Sequence, residues 1–147
     1  MIVLFTIGFT GTTAENFFNR LKQASVKKVI DTRLWPDTQL SGFAKRKDLG
    51  FFLKNLAQAD YEHNPLLAPS EDILKDYKDK KINWAEYKVR YNDLLRSRRV
   101  AEMLKPNEID HTAFLCAECT TDFCHRRLLA EYLQQSWPDS NIIIKHL

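Results

Sequence analysis

Short apolar runs alternate along this chain with longer stretches whose apolar residues recur at helical spacing, and few folds accept that pattern. Residues 2–7 (IVLFTI), 26–31 (VKKVID), 113–116 (AFLC) and 141–145 (NIIIK) read as strands. Runs that are apolar without alternation suit strands covered on both faces. Between them, Phe17, Phe18, Leu21 and Ala24 predict one helix, introduced by a Thr12–Glu15 capping box. Leu49, Phe52, Leu53 and Leu56 predict a second, and Ile73, Leu74 and Tyr77 a third behind a Ser70 cap. Residues 83–105, with Trp84, Tyr87, Tyr91, Leu94, Leu95, Ala101 and Leu104 on one side, predict a single long helix ended by Pro106.

Strands alternating with helices pair most economically in parallel, through right-handed crossovers. The expected fold is therefore α/β: a single domain over residues 1–147, a three-layer sandwich around a mostly parallel, Rossmann-like sheet of about 4–5 strands. Residues 61–63 are the candidate extra strand. No internal repeat, low-complexity tract or linker interrupts the chain.

A parallel sheet has all its strand C-termini on one edge, so residues far apart in sequence meet there. Thr6 to Gly8, Asp31 to Arg33, His63 and Cys116 to Glu118 are expected to converge on that edge. Asp31 and Arg33 lie on the same side of an extended chain, so the carboxylate can orient the guanidinium toward an anionic ligand or simply pair with it. The segment TIGFTGTT is glycine-containing and hydroxyl-rich, as a phosphate cradle would be, but it is neither GxGxxG nor a Walker loop; a plain strand-to-helix turn is the other reading. Lys45, Arg46 and Lys47, behind Ser41-Gly42, read as a basic loop over the site.

The chemistry is densest in residues 113–133, AFLCAECTTDFCHRRLLAEYL, read as strand, loop and helix. Thr121 or Asp122 is the expected cap, placing Cys124, His125, Arg126 and Arg127 in the first turn. The macrodipole disfavours cations there, so the arginines either accompany a bound anion or point into water and pair with acids such as Glu131. A helix start beside His and Arg favours the thiolate of Cys124, a candidate nucleophile, with Cys116 a second. A buried cysteine can also be mere packing. A metal reading takes Cys116, Cys119, Cys124 and His125; the adjacency of Cys124 and His125 and the lack of a second CxxC weigh against it, so neither metal nor cofactor is expected. A Cys-x5-Arg phosphatase loop is absent, because Asp122 and His125 stand where its arginine would be.

Charge is nearly balanced, 22 basic against 19 acidic residues, which demands neither nucleic acid nor an anionic membrane. Arg90, Arg96, Arg98 and Arg99 could touch nucleic acid, but the neighbouring aromatics share the apolar stripe and are better explained as core. Three cysteines, no leader-like start and no apolar run approaching about 18 residues lead to the expectation of a reducing cytoplasm and no membrane contact.

TIGFT, DTRLWP, the Gly-Phe-Ala-Lys stretch, Tyr61 with a nearby Pro and Leu, and above all LCAECTTDFCHRRLLAEYL resemble the domain of unknown function 488 family over nearly the whole chain. The resemblance implies that Gly8, Asp31, Arg33, Pro36, Cys116, Glu118, Cys124, His125 and Arg126 are family-characteristic residues; it supplies no reaction. The chain departs from the pattern at Leu66-Leu67-Ala68, where the family has Leu-Gly-Gly, and in carrying Cys119. The expected function is an enzyme-like domain binding a phosphate-bearing or other anionic small molecule, a nucleotide among them. Cys124, Cys116, Glu118 and His125 are the candidate catalytic residues, and Gly8, Asp31, Arg33, Lys45, His63 and Arg126 the candidate ligand-binding ones. A non-catalytic module for nucleic acid or protein is the alternative, and the sequence does not set the oligomeric state.

Overall fold

The computed structural model describes residues 1–37, 42–117 and 123–147. Among them the chain forms strands β1 (Ile2–Gly8), β2 (Lys28–Asp31), β3 (Asp60–His63), β4 (Thr112–Cys116) and β5 (Ile142–His146). The helices are α1 (Ala14–Gln23), α2 (Arg46–Leu56), α3 (Glu71–Lys78), α4 (Trp84–Ser97), α5 (Val100–Met103) and α6 (His125–Ser136). The five strands make one sheet in the order β3-β2-β4-β1-β5, and every pairing is parallel.

Alternate residues of each strand serve opposite faces. Leu4, Ile30 and Phe114 join a core with residues of α3, α4, α5 and α6, including Tyr91, Leu95 and Leu129. Phe5, Ile7, Val29, Ala113 and Leu115 join a second core with Phe17, Phe18 and Leu21 of α1 and Leu49 and Leu53 of α2. Three layers result, because a strand with apolar residues in both registers must be covered twice.

The cores also decide where the chain reverses. The helices following β1 and β2 cover one face and the helix following β4 covers the other, yet β4 lies between β1 and β2. A crevice opens at the C-terminal edge where neighbouring strands send their chains to opposite faces. Here β4 has such a neighbour on each side.

Several boundaries differ from the sequence expectation. Thr13, not Thr12, caps α1, accepting from the Asn16 N–H at 3.1 Å, while the Thr12 hydroxyl donates to the Phe9 carbonyl. The basic residues after Gly42 open α2, with Lys45 at its N-cap position; residues 38–41 of the expected loop lie outside the described residues. The long helix predicted over 83–105 is broken, because Arg99 takes a left-handed conformation (φ 55°) that ends the ladder after α4 and starts α5. Arg98, just before the break, donates to the carbonyls of Leu66 and Ala68 at 2.8 and 2.6 Å. Among the described residues no helix is long and apolar enough to cross a membrane.

Candidate functional site

The C-terminal edge gathers the residues that the strand pattern sends there. β1 ends at Gly8, in register with Cys116 at the end of β4. Beyond it, the Phe9 and Thr10 N–H groups both donate to the Ala117 carbonyl (3.4 and 2.9 Å), and the Thr12 N–H to the Phe9 carbonyl (3.0 Å). Those three donors are spent inside the turn that carries TIGFTGTT from β1 to α1. The Gly8 carbonyl accepts from Arg20.

β2 ends at Asp31 and the chain runs on through Thr32 and Arg33, all three buried. Arg33 grips Asp31 with two parallel bonds, Nε to Oδ1 at 2.8 Å and Nη2 to Oδ2 at 2.6 Å, and its backbone N–H also donates to Oδ1. Such fork-to-fork pairing fixes the guanidinium plane. Nη2 donates further to the Ala44 carbonyl, and the Phe9 ring lies 5.1 Å from the guanidinium carbon. Tyr61 Oη donates to Asp31 Oδ2 at 2.7 Å. Burial first, and then the Asp31 carboxylate, hold that phenol well above its ordinary pKa, so it stays protonated and keeps donating. One guanidinium atom, Arg33 Nη1, is buried with no hydrogen-bond partner among the described residues.

β4 delivers Cys116, and α6 starts beside it. The N-cap position is Cys124; Thr121 and Asp122, expected there, lie outside the described residues, as do Glu118 and Cys119. His125, Arg126 and Arg127 are thus the first three helical residues, and the two arginines part company. Arg127 turns outward to Glu131, Nε to Oε1 at 2.9 Å. Arg126 turns inward, 1 % exposed, and its Nη1 meets Cys116 Sγ at 3.1 Å and Cys124 Sγ at 3.8 Å. The two sulfurs are paired as a Cys116–Cys124 disulfide, with their Cα atoms 7.7 Å apart. A guanidinium and a helix N-terminus both favour thiolate over thiol.

His125 Nε2 lies 3.0 Å from the Thr32 carbonyl and 2.9 Å from Thr32 Oγ1. The Thr32 hydroxyl donates to the Leu115 carbonyl at 2.8 Å, and a carbonyl only accepts, so Nε2 carries the ring proton and donates. Nδ1 then keeps its lone pair. Burial, helped by the Arg126 charge and opposed by the Thr32 hydrogen bond, pushes the imidazole pKa down to about 4, so the ring is neutral at pH 7. A donor atom each from Cys116, Cys124 and His125 lies within 4.8 Å of the others. Adjacency in sequence does not keep Cys124 and His125 apart, because one caps the helix in extended conformation and the other begins it.

A cavity of about 200 Å³ opens against this cluster, lined by Arg33, Cys116, Cys124 and His125 and by the rings of Trp35, Tyr77, Tyr87 and Phe123. Trp35 and Phe123 are 47 % and 62 % exposed. Large exposed rings beside a cavity are contact surface available to a ligand. These four aromatics, and Thr32, are not among the candidate catalytic or ligand-binding residues that the sequence offers. Trp35 lies two residues past Arg33 in DTRLWP and Phe123 directly before Cys124, which was the signal available for them. Lys45 and His63 do not line this cavity: Lys45 is exposed, and His63 Nε2 donates to the Arg33 carbonyl at 2.8 Å, a supporting bond.

A family model described as "Domain of unknown function DUF488" matches residues 13–133. The chain belongs to this family. The DUF488 match takes in Asp31, Arg33, Cys116, Cys124, His125 and Arg126, so the clustered site falls inside the family's own span, whereas Gly8 precedes it. A comparison with curated proteins finds no match, and neither does one with solved structures. Within this DUF488 domain the arginines of the α4 region have intramolecular partners: Arg90 with Asp72 and Asp76, Arg96 with Asp93, Arg99 with Glu102.

Proposed function

We propose that this DUF488 domain is a cytoplasmic enzyme for a small molecule that carries a flat ring and an anionic group, as a nucleotide does, with the Cys116 and Cys124 sulfurs as its reactive centre. The observation that carries the reading is the buried guanidinium of Arg126 directed at both sulfurs, at the wall of an aromatic-lined cavity. Thiolates beside the guanidinium would offset part of the cost of burying its charge. Arg126, a candidate ligand-binding residue by sequence, is in this reading the residue that charges the sulfurs.

The remaining roles follow from the same contacts. Arg33, its plane fixed by Asp31, offers Nη1 to an anionic oxygen of the ligand. Trp35, Tyr77 and Tyr87 offer faces to the flat ring. His125, neutral and tied to Thr32, holds the start of α6 against the end of β2 and is a poor proton donor at pH 7. General acid or base work falls to Glu118. In this reading a reducing compartment opens the Cys116–Cys124 pair to the two thiolates that the chemistry needs.

Adenosine monophosphate serves as the probe. It is expected to raise the melting temperature and quench tryptophan fluorescence saturably, with adenosine and inorganic phosphate each binding more weakly. At a hundredfold excess over Kd the stabilisation is about 2.7 kcal/mol. Trp35→Ala, at a half-exposed ring, is expected to keep the fold and lower the affinity at least tenfold. Binding by none of the three at millimolar concentration, or a steeply salt-dependent affinity for oligonucleotides in its place, overturns the proposal.

A further inference from the structure

We infer that Cys116, Cys124 and His125 form a binding site for one thiophilic divalent ion, zinc by the chemistry of its ligands, with the fourth coordination position facing the cavity. The inference rests on the sulfur pair assigned above and names the electrophile that pair holds.

Three features of the cluster converge on a metal. Its donor atoms come from three rigid positions, the last residue of β4, the N-cap of α6 and that helix's first residue, and lie within 4.8 Å of one another. Two sulfurs and one imidazole nitrogen are a ligand set that zinc takes with a position left open, the arrangement of catalytic rather than structural sites. Next, the His125 ring is already set as a ligand. Its Nε2–H donates to the Thr32 carbonyl, which fixes the tautomer, orients the ring and leaves Nδ1 with the lone pair. Histidines that bind metals almost always donate their other N–H in this way. Thr32 is in turn held by its own hydroxyl and N–H on the Leu115 carbonyl, at 2.8 and 3.0 Å.

The third feature is the spacing of the cysteines. Their Cα atoms are 7.7 Å apart, beyond the roughly 4.4–6.8 Å that a disulfide spans. Once the pair is reduced, two sulfurs on one tetrahedral ion sit roughly 3.8 Å apart, given zinc–sulfur bonds of about 2.3 Å, and that wider bridge suits the wide backbone separation. Arg126 does not compete with the ion. Its Nη1 donates to sulfur, as outer hydrogen bonds to thiolate ligands do, and two thiolates carry enough negative charge for a divalent ion beside it.

The test uses the full chain, reduced, stripped with a chelator and titrated with zinc against a chromophoric chelator, then with cobalt(II) as the spectroscopic probe. One equivalent of zinc is expected, and cobalt is expected to show thiolate-to-metal charge transfer with the intense visible bands of a tetrahedral site. Cys116→Ser, Cys124→Ser and His125→Ala should each weaken binding at least tenfold, and Cys119→Ser should leave it unchanged. In case a variant fails to fold, the wild-type protein gives a second readout: zinc should protect Cys116 and Cys124 from alkylation while Cys119 keeps its rate. Sub-stoichiometric uptake, a cobalt spectrum without charge transfer, affinity that survives loss of both cysteines, or loss on Cys119→Ser overturns the three-residue site. No nucleotide enters this assay, so the enzyme proposal and the metal site fail independently: zinc uptake without nucleotide binding sinks the former, and nucleotide binding without zinc uptake sinks the latter.

Discussion

The Asp31–Arg33 pair sets the geometry of one wall of the cavity, and Asp31→Asn isolates what that pair contributes. The substitution keeps the shape of the side chain and removes its charge. Arg33, 4 % exposed, would then keep the Ala44 carbonyl and the Phe9 face but no anion on its fork. Removing one partner of a buried ion pair typically costs about 3–5 kcal/mol, because the other charge stays buried without compensation. The Tyr61 hydrogen bond changes from a carboxylate to an amide acceptor, a further loss of up to ~1 kcal/mol that overlaps with the first. For a chain of this size, about 2–4 °C of melting temperature per kcal/mol makes the expected drop roughly 6–20 °C. Urea unfolding followed by tryptophan fluorescence should show the midpoint falling with the slope unchanged. The double variant Asp31→Asn/Arg33→Met, with no charge left to bury, should recover much of the loss. A cost below about 1 kcal/mol for Asp31→Asn, or a double variant as unstable as the sum of the two singles, refutes the view that a desolvated pair holds Arg33 in place.

His125 makes a prediction about acid. Its folded pKa of about 4 lies below the ordinary 6.5, so between those values the unfolded chain binds a proton that the folded chain refuses. Stability in metal-free protein is therefore whole above pH ~6.5 and falls toward pH ~4 by up to about 3 kcal/mol, with a flatter profile in His125→Gln; identical chevron or urea midpoints for the two across that window contradict it. Gly50 lies inside α2 at ordinary backbone angles, and an added Cβ would meet nothing nearer than the Tyr61 side chain at 3.7 Å. Gly50→Ala should stabilise by roughly 0.5–1 kcal/mol in the same urea assay, and a loss of stability would show that α2 packs more tightly on β3 than described.

The architecture was legible because it rests on two periodicities. Apolar runs such as residues 2–7 and 113–116 have no polar face to leave in water, and helices such as α1 present theirs at every third or fourth residue, so the alternation of elements and the parallel pairing followed, but not the order of strands in the sheet. The break between α4 and α5 was not legible, since Ala101 and Leu104 continue the helical spacing across Arg99, whose left-handed backbone leaves no mark on the pattern. Within the site, Asp31, Arg33, Cys116, Cys124, His125 and Arg126 could be read from sequence because strand ends and a helix start carry them to one edge. Their partners could not. That Arg126 faces sulfur while Arg127 faces Glu131 depends on which side of α6 meets the sheet. Tyr77 and Tyr87 belong to an apolar stripe and do pack against the core, and only the fold shows the stripe running on to line the cavity. Thr32 stands between the candidates Asp31 and Arg33, yet its bond to His125 is made by a carbonyl that every residue possesses.

The central claim, that Arg126 and the start of α6 keep the sulfurs of Cys116 and Cys124 ionised, is tested most directly by the rate of alkylation as a function of pH. The measurement is made on native, chelator-treated protein and resolved by mass spectrometry at each cysteine. The account predicts that Cys116 or Cys124 reacts as a thiolate well below the free-thiol value of about 8.5, and that Arg126→Gln moves this reactivity back up toward it. Reactivity at both sites that rises only near or above that value, unchanged by the loss of Arg126, would contradict the account and leave the two cysteines as packing.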